Sequence, residues 1–278
     1  MQEPYEGPGP AVVRGAQQVP THSESLFKAR PLGGAPMFLR AIKFTGRPGA
    51  TAKGYPFNIP AFRNVKSIPI TTPVTFFIGE NGTGKSTLLE AVALSCGFHA
   101  GGGSRSHLFS YQPTESDLRE YIRLSWRPKV TEGFFLRAET FYQFASYIDE
   151  LAKQDPSILM YYGGRSLHEQ SHGEAFFALF VHRFDRRGIY LLDEPEAALS
   201  PARQMAFLRL LWQMEQTGNA QFLIATHSPI LLAYPGATIY SLDYSPLRSV
   251  AYEDTEHYRL TRDFLKDRTR FLRHLLEG

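Results

Sequence analysis

Short apolar runs alternate with amphipathic segments along most of the chain. Six runs have the length of β-strands, at 38–44, 74–78, 134–137, 189–192, 222–225 and 239–242. Four longer segments repeat apolar residues at helical spacing, at 85–93, 140–153, 174–184 and 201–214. Strands that alternate with helices are typical of βαβ units. The pattern therefore predicts an α/β fold with a mainly parallel, doubly wound sheet.

The same pattern divides the chain into segments. Residues 1–35 are rich in Pro, Gly, Ser and Gln and have no apolar period, which predicts a flexible leader. Residues 36–253 are expected to form the α/β domain, with an antiparallel N-terminal edge and a helical insertion at about 105–185. The last segment, 254–278, has the apolar and basic positions of an amphipathic helix, and we expect its apolar side to pack on the domain.

The apolar run 74–78 leads into a glycine-rich loop. Residues 79–86 read Gly-Glu-Asn-Gly-Thr-Gly-Lys-Ser and match G-x-x-x-x-G-K-[ST] at every fixed position. Glycines let the backbone N–H groups turn toward phosphate oxygens, and the following helix adds the positive end of its dipole. We expect Lys85 to contact the β- and γ-phosphates and Ser86 to hold Mg²⁺. The predicted site for ATP and magnesium comprises Gly79, Glu80, Asn81, Gly82, Thr83, Gly84, Lys85, Ser86 and Thr87.

Two later strand ends carry titratable side chains. Asp193 and Glu194 follow the run 189–192, and His227 follows the run 222–225. In open α/β sheets, ligands bind in the crevice at the carboxyl ends of the strands. Asp193 suits a ligand of Mg²⁺, and Glu194 suits a base that polarises the attacking water. His227 suits a group that reaches the γ-phosphate, so we predict Glu194, His227 and Lys85 as catalytic residues.

Taken together, these segments resemble the ATP-binding-cassette (ABC) class of P-loop ATPases. The phosphate loop matches Walker A, Leu-Leu-Asp-Glu-Pro at 191–195 matches Walker B, Ala-Ala-Leu-Ser at 197–200 matches the D-loop, and Ala-Thr-His-Ser-Pro at 225–229 matches the H-loop. The resemblance covers roughly residues 37–245. The class includes transporter subunits, SMC and Rad50 heads, RecF and OLD-type domains, and small stand-alone bacterial ATPases described as AAA-family. This chain is most similar to the last group, and the resemblance implies a P-loop NTPase fold of ABC type.

The resemblance also implies a signature loop that caps the nucleotide of a second subunit. Residues 170–174, Gln-Ser-His-Gly-Glu, occupy its place in the chain. Ser171 and Gly173 would bind the γ-phosphate of a second copy, which implies an ATP-dependent homodimer. Relative to the family's Leu-Ser-Gly-Gly-Gln, His172 replaces a glycine and Glu174 replaces the glutamine. In the D-loop, Ser200 stands where the family often has aspartate.

Two positions implied by the resemblance stay open. The family's Q-loop glutamine, which senses Mg²⁺, has no clear match. Glu139, directly after the run 134–137, is the positional candidate for this metal-site role, and Gln143 is the alternative. An aromatic residue upstream of the phosphate loop should stack on adenine, and the sequence does not choose among Tyr55, Phe57 and Phe62.

Composition narrows the class of protein. The single cysteine, Cys96, excludes a disulfide framework and a thiolate-based metal site. No apolar run approaches the roughly 20 residues that cross a bilayer, and the N-terminus lacks the order of a secretory signal, so we expect a cytoplasmic protein. The 30 basic and 27 acidic residues leave a formal net charge of +3, which is too small to argue for nucleic acid by itself.

Several functions remain open at this point. The first is a stand-alone, Mg²⁺-dependent ATPase of unassigned cellular role. The second is a nucleic-acid-associated repair or defence factor, suggested by basic residues near the C-terminus. The third is a switch that only binds nucleotide, or the ATP-binding subunit of a transporter. Glu194 favours an enzyme over a switch, and the altered signature and Q-loop argue against a membrane partner. The absence of heptads between Lys85 and Asp193 excludes an SMC or Rad50 head.

Overall fold

The computed structural model of the chain describes residues 37–45, 54–107, 117–183 and 186–277. The predicted leader at 1–35 lies outside these residues. Within them, no helix has both the length and the apolar character needed to cross a bilayer. The strands are β1 (Leu39–Phe44), β2 (Ser67–Pro69), β3 (Val74–Ile78), β4 (Ile122–Trp126), β5 (Gly133–Arg137), β6 (Gly188–Asp193), β7 (Ala220–Ala225), β8 (Thr238–Ser241) and β9 (Arg248–Val250).

Helices follow the strands as the sequence pattern predicts. They are α1 (Lys85–Cys96), α2 (Phe141–Gln154), α3 (His172–Arg183), α4 (Pro201–Thr217), α5 (Pro229–Leu232), α6 (Glu256–Lys266) and α7 (Arg268–Glu277). Short 3-10 turns lie at Pro60–Phe62, Asp117–Tyr121, Pro156–Tyr162, Leu167–Glu169, Pro195–Ala198 and Tyr252–Asp254. All four predicted helices are therefore present, with ends shifted by a few residues.

The larger sheet has six strands in the order β5-β6-β7-β3-β8-β9. The first five strands are parallel to one another, and the last strand, β9, is antiparallel to β8. This arrangement confirms the predicted mainly parallel α/β fold. The carboxyl ends of β3, β5, β6 and β7 consequently share one edge of the sheet.

The antiparallel part forms a sheet of its own, in the order β2-β1-β4. The range 105–185, expected as a helical insertion, contains β4, which was not predicted, as well as the predicted strand β5. Ile122-Arg-Leu-Ser-Trp126 alternates apolar and polar residues, the pattern of a strand with one buried face. The helical part of this range begins only at Phe141.

Side chains of the parallel strands alternate between two buried faces. Phe76 and Ile224 contribute to a core that includes residues of α2, α3 and α4. Phe77 and Leu223, their neighbours in the chain, contribute to a second core with α1 and the antiparallel sheet. Every residue of β3, β6 and β7 is buried, as expected for strands covered on both faces. The phosphate-loop helix α1 is thus held by both sheets.

One buried amide joins the two sheets. Gln221, on β7, is fully buried. Its Oε1 accepts hydrogen bonds from the N–H groups of Phe38 (3.1 Å) and Leu39 (2.8 Å), and its Nε2 donates to the Leu39 carbonyl (2.9 Å). The side chain thereby satisfies backbone groups at the start of β1 as a neighbouring strand would.

The C-terminal helices are present, but their apolar side is not packed on the domain as expected. Thr255, which caps α6, is buried, whereas no residue within α6 is buried. Leu265 is 74% exposed and Leu272 is 40% exposed. The rings of Phe264 and Phe271 lie 5.9 Å apart, so α6 and α7 contact each other. The helices meet the domain near the start of α6 and present apolar side chains to solvent.

Candidate active site

The phosphate loop connects the end of β3 to the start of α1. Gly79, Gly82 and Gly84 have φ angles of +146°, +82° and +99°, a region that favours glycine. At Gly79 a Cβ atom would lie 2.7 Å from Thr83 Oγ1, so this turn also needs glycine for space. Glu80, Asn81 and Gly82 form the exposed part of the loop. The predicted loop therefore has the backbone turns that direct N–H groups toward an anion.

Lys85 folds back against this loop. Its Nζ donates hydrogen bonds to the carbonyl oxygens of Gly79 (2.7 Å) and Glu80 (3.1 Å). The residue is only 4% exposed, and burial lowers the pKa of its ammonium, an effect that the nearby carboxylates of Glu194 and Asp193 oppose. The ammonium is thus positioned to exchange loop carbonyls for phosphate oxygens.

Asp243, after β8, anchors the exposed part of the loop. Its Oδ1 accepts a hydrogen bond from the Glu80 N–H (2.8 Å), and its Oδ2 accepts one from Ser241 Oγ (3.0 Å). Asp243 belongs to no motif and was not predicted as a site residue. It could have been found by its place after the predicted run 239–242, the same rule that identified Asp193.

Ser86 and Asp193 meet beside the loop. Ser86 Oγ donates to Asp193 Oδ1 at 3.1 Å. Burial raises the pKa of Asp193 to about 7, although Arg137 and Ser86 lower it. One hydroxyl and one carboxylate fit Mg²⁺, which binds few protein oxygens and completes its shell with phosphates and water. In the described part of the chain, no group of three His, Cys, Asp or Glu residues could hold a metal. Binding of Mg²⁺ by Ser86 and Asp193 remains a prediction.

Arg137, the last residue of β5, lies opposite Asp193 in the sheet register. Its guanidinium contacts three carboxylates, at Glu90 Oε2 (2.8 Å), Glu139 Oε1 (2.6 Å) and Asp193 Oδ2 (3.5 Å). Glu139 thus directs a carboxylate oxygen to Arg137, and its role at the metal remains a prediction. The alternative, Gln143, is exposed on α2. Arg137 was missed as a site residue, although it ends a predicted strand.

Glu194 has a left-handed backbone, with φ +53° and ψ +51°. Such a conformation costs a residue other than glycine about 1–3 kcal/mol and often marks a functional position. Its N–H donates to the Ala225 carbonyl at 3.0 Å, which fixes it against the end of β7. Its side chain is 43% exposed, and Oε1 lies 3.7 Å from His227 Nε2. The predicted base is therefore accessible and beside the predicted histidine.

His227 is held from two sides. Its backbone N–H donates to Glu196 Oε1 at 2.6 Å, and its Nδ1 lies 3.2 Å from Nε2 of His257 on α6. Burial lowers the pKa of the His227 imidazole, Lys85 lowers it further, and Glu194 opposes the shift. Burial also raises the pKa of Glu196. The imidazole is therefore neutral near pH 7, and its two partners, Glu196 and His257, were not identified from sequence.

The signature segment, residues 170–174, forms a closed helix start. Glu174 Oε2 accepts hydrogen bonds from the Ser171 N–H (3.1 Å) and from Ser171 Oγ (2.8 Å), and these bonds lower the pKa of Glu174. The bond from the Ser171 N–H to the Glu174 side chain is one of the two bonds of a capping box. A Cβ at Gly173 would lie 2.2 Å from Arg203 Nη1 and 3.0 Å from the Ala198 carbonyl. Gly173 therefore packs against the residues that follow Walker B.

Two protein families match different parts of the chain. Residues 57–155 match a family described as an AAA domain. Residues 161–233 match a family described as an AAA domain and candidate AbiEii toxin of a type IV toxin–antitoxin system. The first match includes the phosphate loop, and the second includes the signature segment, Walker B and the H-loop.

Two curated proteins described as ATP-binding proteins are similar to the chain. The tungstate uptake system ATP-binding protein TupC of Campylobacter jejuni is 26% identical over 227 residues, which cover 70% of this chain and 66% of that protein. The "Probable siderophore transport system ATP-binding protein YusV" of Bacillus subtilis is 25% identical over 184 residues, covering 59% of this chain and 66% of that protein. The chain thus spans just under two thirds of the length of these relatives. The chain is thus similar to P-loop ATPases of the AAA and ABC types.

A solved structure is also similar to the chain. The SMC head domain from Thermotoga maritima is 15% identical, with 77% of this chain and 100% of that chain covered and a TM-score of 0.44.

The site residues predicted from the sequence form two groups in the structure. Lys85, Ser86, Asp193, Glu194 and His227 lie together at the edge formed by the ends of β3, β6 and β7. Ser171 and Gly173 instead contact Glu174 and the segment after Walker B. The first group surrounds the end of the phosphate loop, and its binding of a nucleotide remains a prediction.

The three candidate adenine contacts are no longer equivalent. Tyr55 is 44% exposed, and its hydroxyl contacts the Thr87 hydroxyl at the start of α1. Phe57 packs edge-on against Tyr121, with ring centroids 4.6 Å apart. Phe62 is buried, and its ring would contact a Cβ at Gly84. Of the three, Tyr55 combines exposure with contact to the phosphate-loop helix.

Proposed function

We propose that this ATPase hydrolyses ATP with Mg²⁺ as a homodimer, in which the signature segment of each copy caps the nucleotide of the other. The observation that carries the proposal is the meeting of Ser86 with Asp193, next to a Glu194–His227 pair. A phosphate loop, a hard-metal ligand pair and an accessible carboxylate are the parts that phosphoryl transfer to water requires. Its cellular role is left unassigned.

Each residue of the site has a distinct task. Lys85 and the loop N–H groups bind the β- and γ-phosphates, while Ser86 and Asp193 hold Mg²⁺, which neutralises phosphate charge when bound. Glu194 orients a water molecule and accepts its proton, since its carboxylate faces solvent. His227 faces the γ-phosphate position with Nε2 and stabilises the charge that develops there. Tyr55 stacks on adenine.

The carboxylate of Glu194 provides the decisive test. Glu194→Gln keeps the shape and removes the base, so we expect hydrolysis to fall about 10²-fold or more while ATP affinity is retained. Because ATP is then not consumed, light scattering with ATP and Mg²⁺ should detect a dimer. Glu150→Gln, an exposed residue on α2, is the matched control. An unchanged rate in Glu194→Gln assigns the base elsewhere, and a monomer at high protein concentration contradicts the homodimer.

A second candidate follows from the relatives, whose names describe ATP-binding proteins of uptake and transport systems. In that case the chain serves a membrane-embedded partner. We favour a cytoplasmic stand-alone enzyme because the signature segment and the Q-loop position depart from the family pattern. Cell fractionation separates the two, since a transporter subunit sediments with membranes until detergent releases it. A nucleic-acid partner stays a prediction.

A further inference from the structure

Two histidines, 30 residues apart in the chain, form a half-buried contact at the site. His227 follows β7, and His257 is the second residue of α6. Their Nδ1 and Nε2 atoms are 3.2 Å apart, and the ring centroids are 5.3 Å apart with an interplanar angle of 50°. The distance fits a hydrogen bond between two imidazoles, one of which must donate while the other accepts.

The start of α6 is fixed where it meets His227. Thr255, 2% exposed, caps the helix by accepting a hydrogen bond from the Tyr258 N–H (3.3 Å), and its Oγ1 donates to the Tyr252 carbonyl (2.7 Å). Tyr252 in turn donates through its hydroxyl to the Pro229 carbonyl at 3.0 Å. The start of α6, which carries His257, is therefore linked to Pro229 of the H-loop.

Both rings are neutral near pH 7, because burial lowers the pKa of His227 and of His257. The charged groups that face His227 are Lys85, Glu194 and Glu80, and those that face His257 are Asp243, Lys85, Glu80 and Glu256. The contact is therefore between two uncharged imidazoles, and the positions of their protons decide what His227 offers to the nucleotide.

Only one of the two proton arrangements suits the surroundings. If His227 donated from Nδ1, its Nε2 lone pair would face the Glu194 carboxylate 3.7 Å away, which is unfavourable. If His257 donates from Nε2, the proton of His227 resides on Nε2 and is attracted by Glu194. The partner of one ring nitrogen sets the protonation of the other. The second arrangement also leaves an N–H donor facing the catalytic side.

We propose that His257 is a positioning residue that donates to His227 Nδ1 and thereby keeps the His227 Nε2–H directed at the γ-phosphate. The inference rests on the proposed function for its catalytic consequence. The hydrogen bond also connects the C-terminal helix pair, α6 and α7, to the predicted nucleotide site. In an enzyme whose histidine has the wrong tautomer, the geometry survives while the rate falls.

Two variants separate positioning from simple support of the fold. His257→Phe keeps a ring of similar size and removes the donor, whereas His257→Gln retains an N–H donor. We expect His257→Phe to lower kcat about tenfold with little change in the ATP dissociation constant, and His257→Gln to retain most of the rate. His182→Phe, an exposed residue on α3, is the control.

Nitrogen NMR of protein with nitrogen-15-labelled histidine reads the tautomer directly, without nucleotide. The expected parent spectrum has His227 protonated at Nε2, and His257→Phe should populate the Nδ1–H form, whereas His257→Gln should not. The inference is overturned if the parent is protonated at Nδ1, if His257→Phe lowers kcat without changing the tautomer, or if it changes the tautomer without lowering kcat. If no form hydrolyses ATP, the proposed function fails, while the parent and variant spectra still decide the tautomer.

Discussion

The phosphate loop and the signature segment both precede a helix start, but only the signature segment has an acidic residue in the first helical turn. In the phosphate loop, Gly84 caps α1 without a side chain, and the first turn holds no acidic residue. In the signature segment, Glu174 already occupies the N–H and hydroxyl of Ser171. An anion site at a helix start needs free donors and no competing carboxylate. In the proposed dimer, the phosphate loop can therefore accept a phosphate as it stands, whereas the signature segment can do so only if Glu174 moves.

The largest expected effect tests the phosphate loop. Lys85→Ala removes an ammonium that can form charge-assisted bonds to phosphate, so ATP affinity should fall about 10²-fold or more. Isothermal titration calorimetry measures the change. Lys153→Ala, which removes an exposed lysine from α2, should bind ATP like the parent. Retained affinity in Lys85→Ala would show that the phosphates bind elsewhere.

A smaller effect is expected in the signature segment, where Gly173 is closely packed. In Gly173→Ala the new methyl group collides with Arg203 and the Ala198 carbonyl, so the segment must shift. We expect the ATP-dependent dimer to weaken about tenfold, by roughly 1.4 kcal/mol, while the monomer binds ATP normally. Sedimentation measures the dimer. Gly54→Ala, whose Cβ would meet nothing within 4 Å, is the control. Loss of ATP binding in Gly173→Ala would contradict the separation of the signature segment from the phosphate loop.

The smallest effect is expected when the carboxylate of Glu174 is replaced. Glu174→Gln restores the family's glutamine and removes a negative charge that would face the partner's γ-phosphate. We expect the ATP-dependent dimer to tighten about threefold, and less at high salt because the residue is exposed. Glu169→Gln makes the same charge change five residues earlier. Equal tightening in both variants would point to net charge rather than to the bonds between Ser171 and Glu174.

The site residues that were predicted from the sequence are those whose positions follow from their place at the end of a strand. Asp193, Glu194 and His227 end parallel strands, and such ends must meet at one edge of the sheet. Arg137 ends a predicted strand as well, and the same rule places it there. It was overlooked because a cation that neutralises a metal ligand belongs to no motif. Its effect on Asp193 follows from the β5–β6 register, which the sequence alone does not supply.

Other features depend on tertiary packing. His257 lies 30 residues after His227, and nothing in the spacing shows that the start of α6 returns to the H-loop. The helices α6 and α7 were predicted from their apolar period, yet that period does not reveal which surface covers them. The strand β9 has three residues, too few for a pattern. These elements required the folded chain.

Because of the Gln221 amide, β7 is attached to the antiparallel sheet at one end and carries His227 at the other. An apolar replacement would bury two N–H groups and a carbonyl without partners, at about 1–3 kcal/mol for each. At its opposite end, the same six-residue strand delivers His227 to the nucleotide. Loosening the amino end of β7 therefore frees the antiparallel sheet from the strand that carries the histidine. The strand β7 therefore both holds the antiparallel sheet in place and positions the histidine of the site.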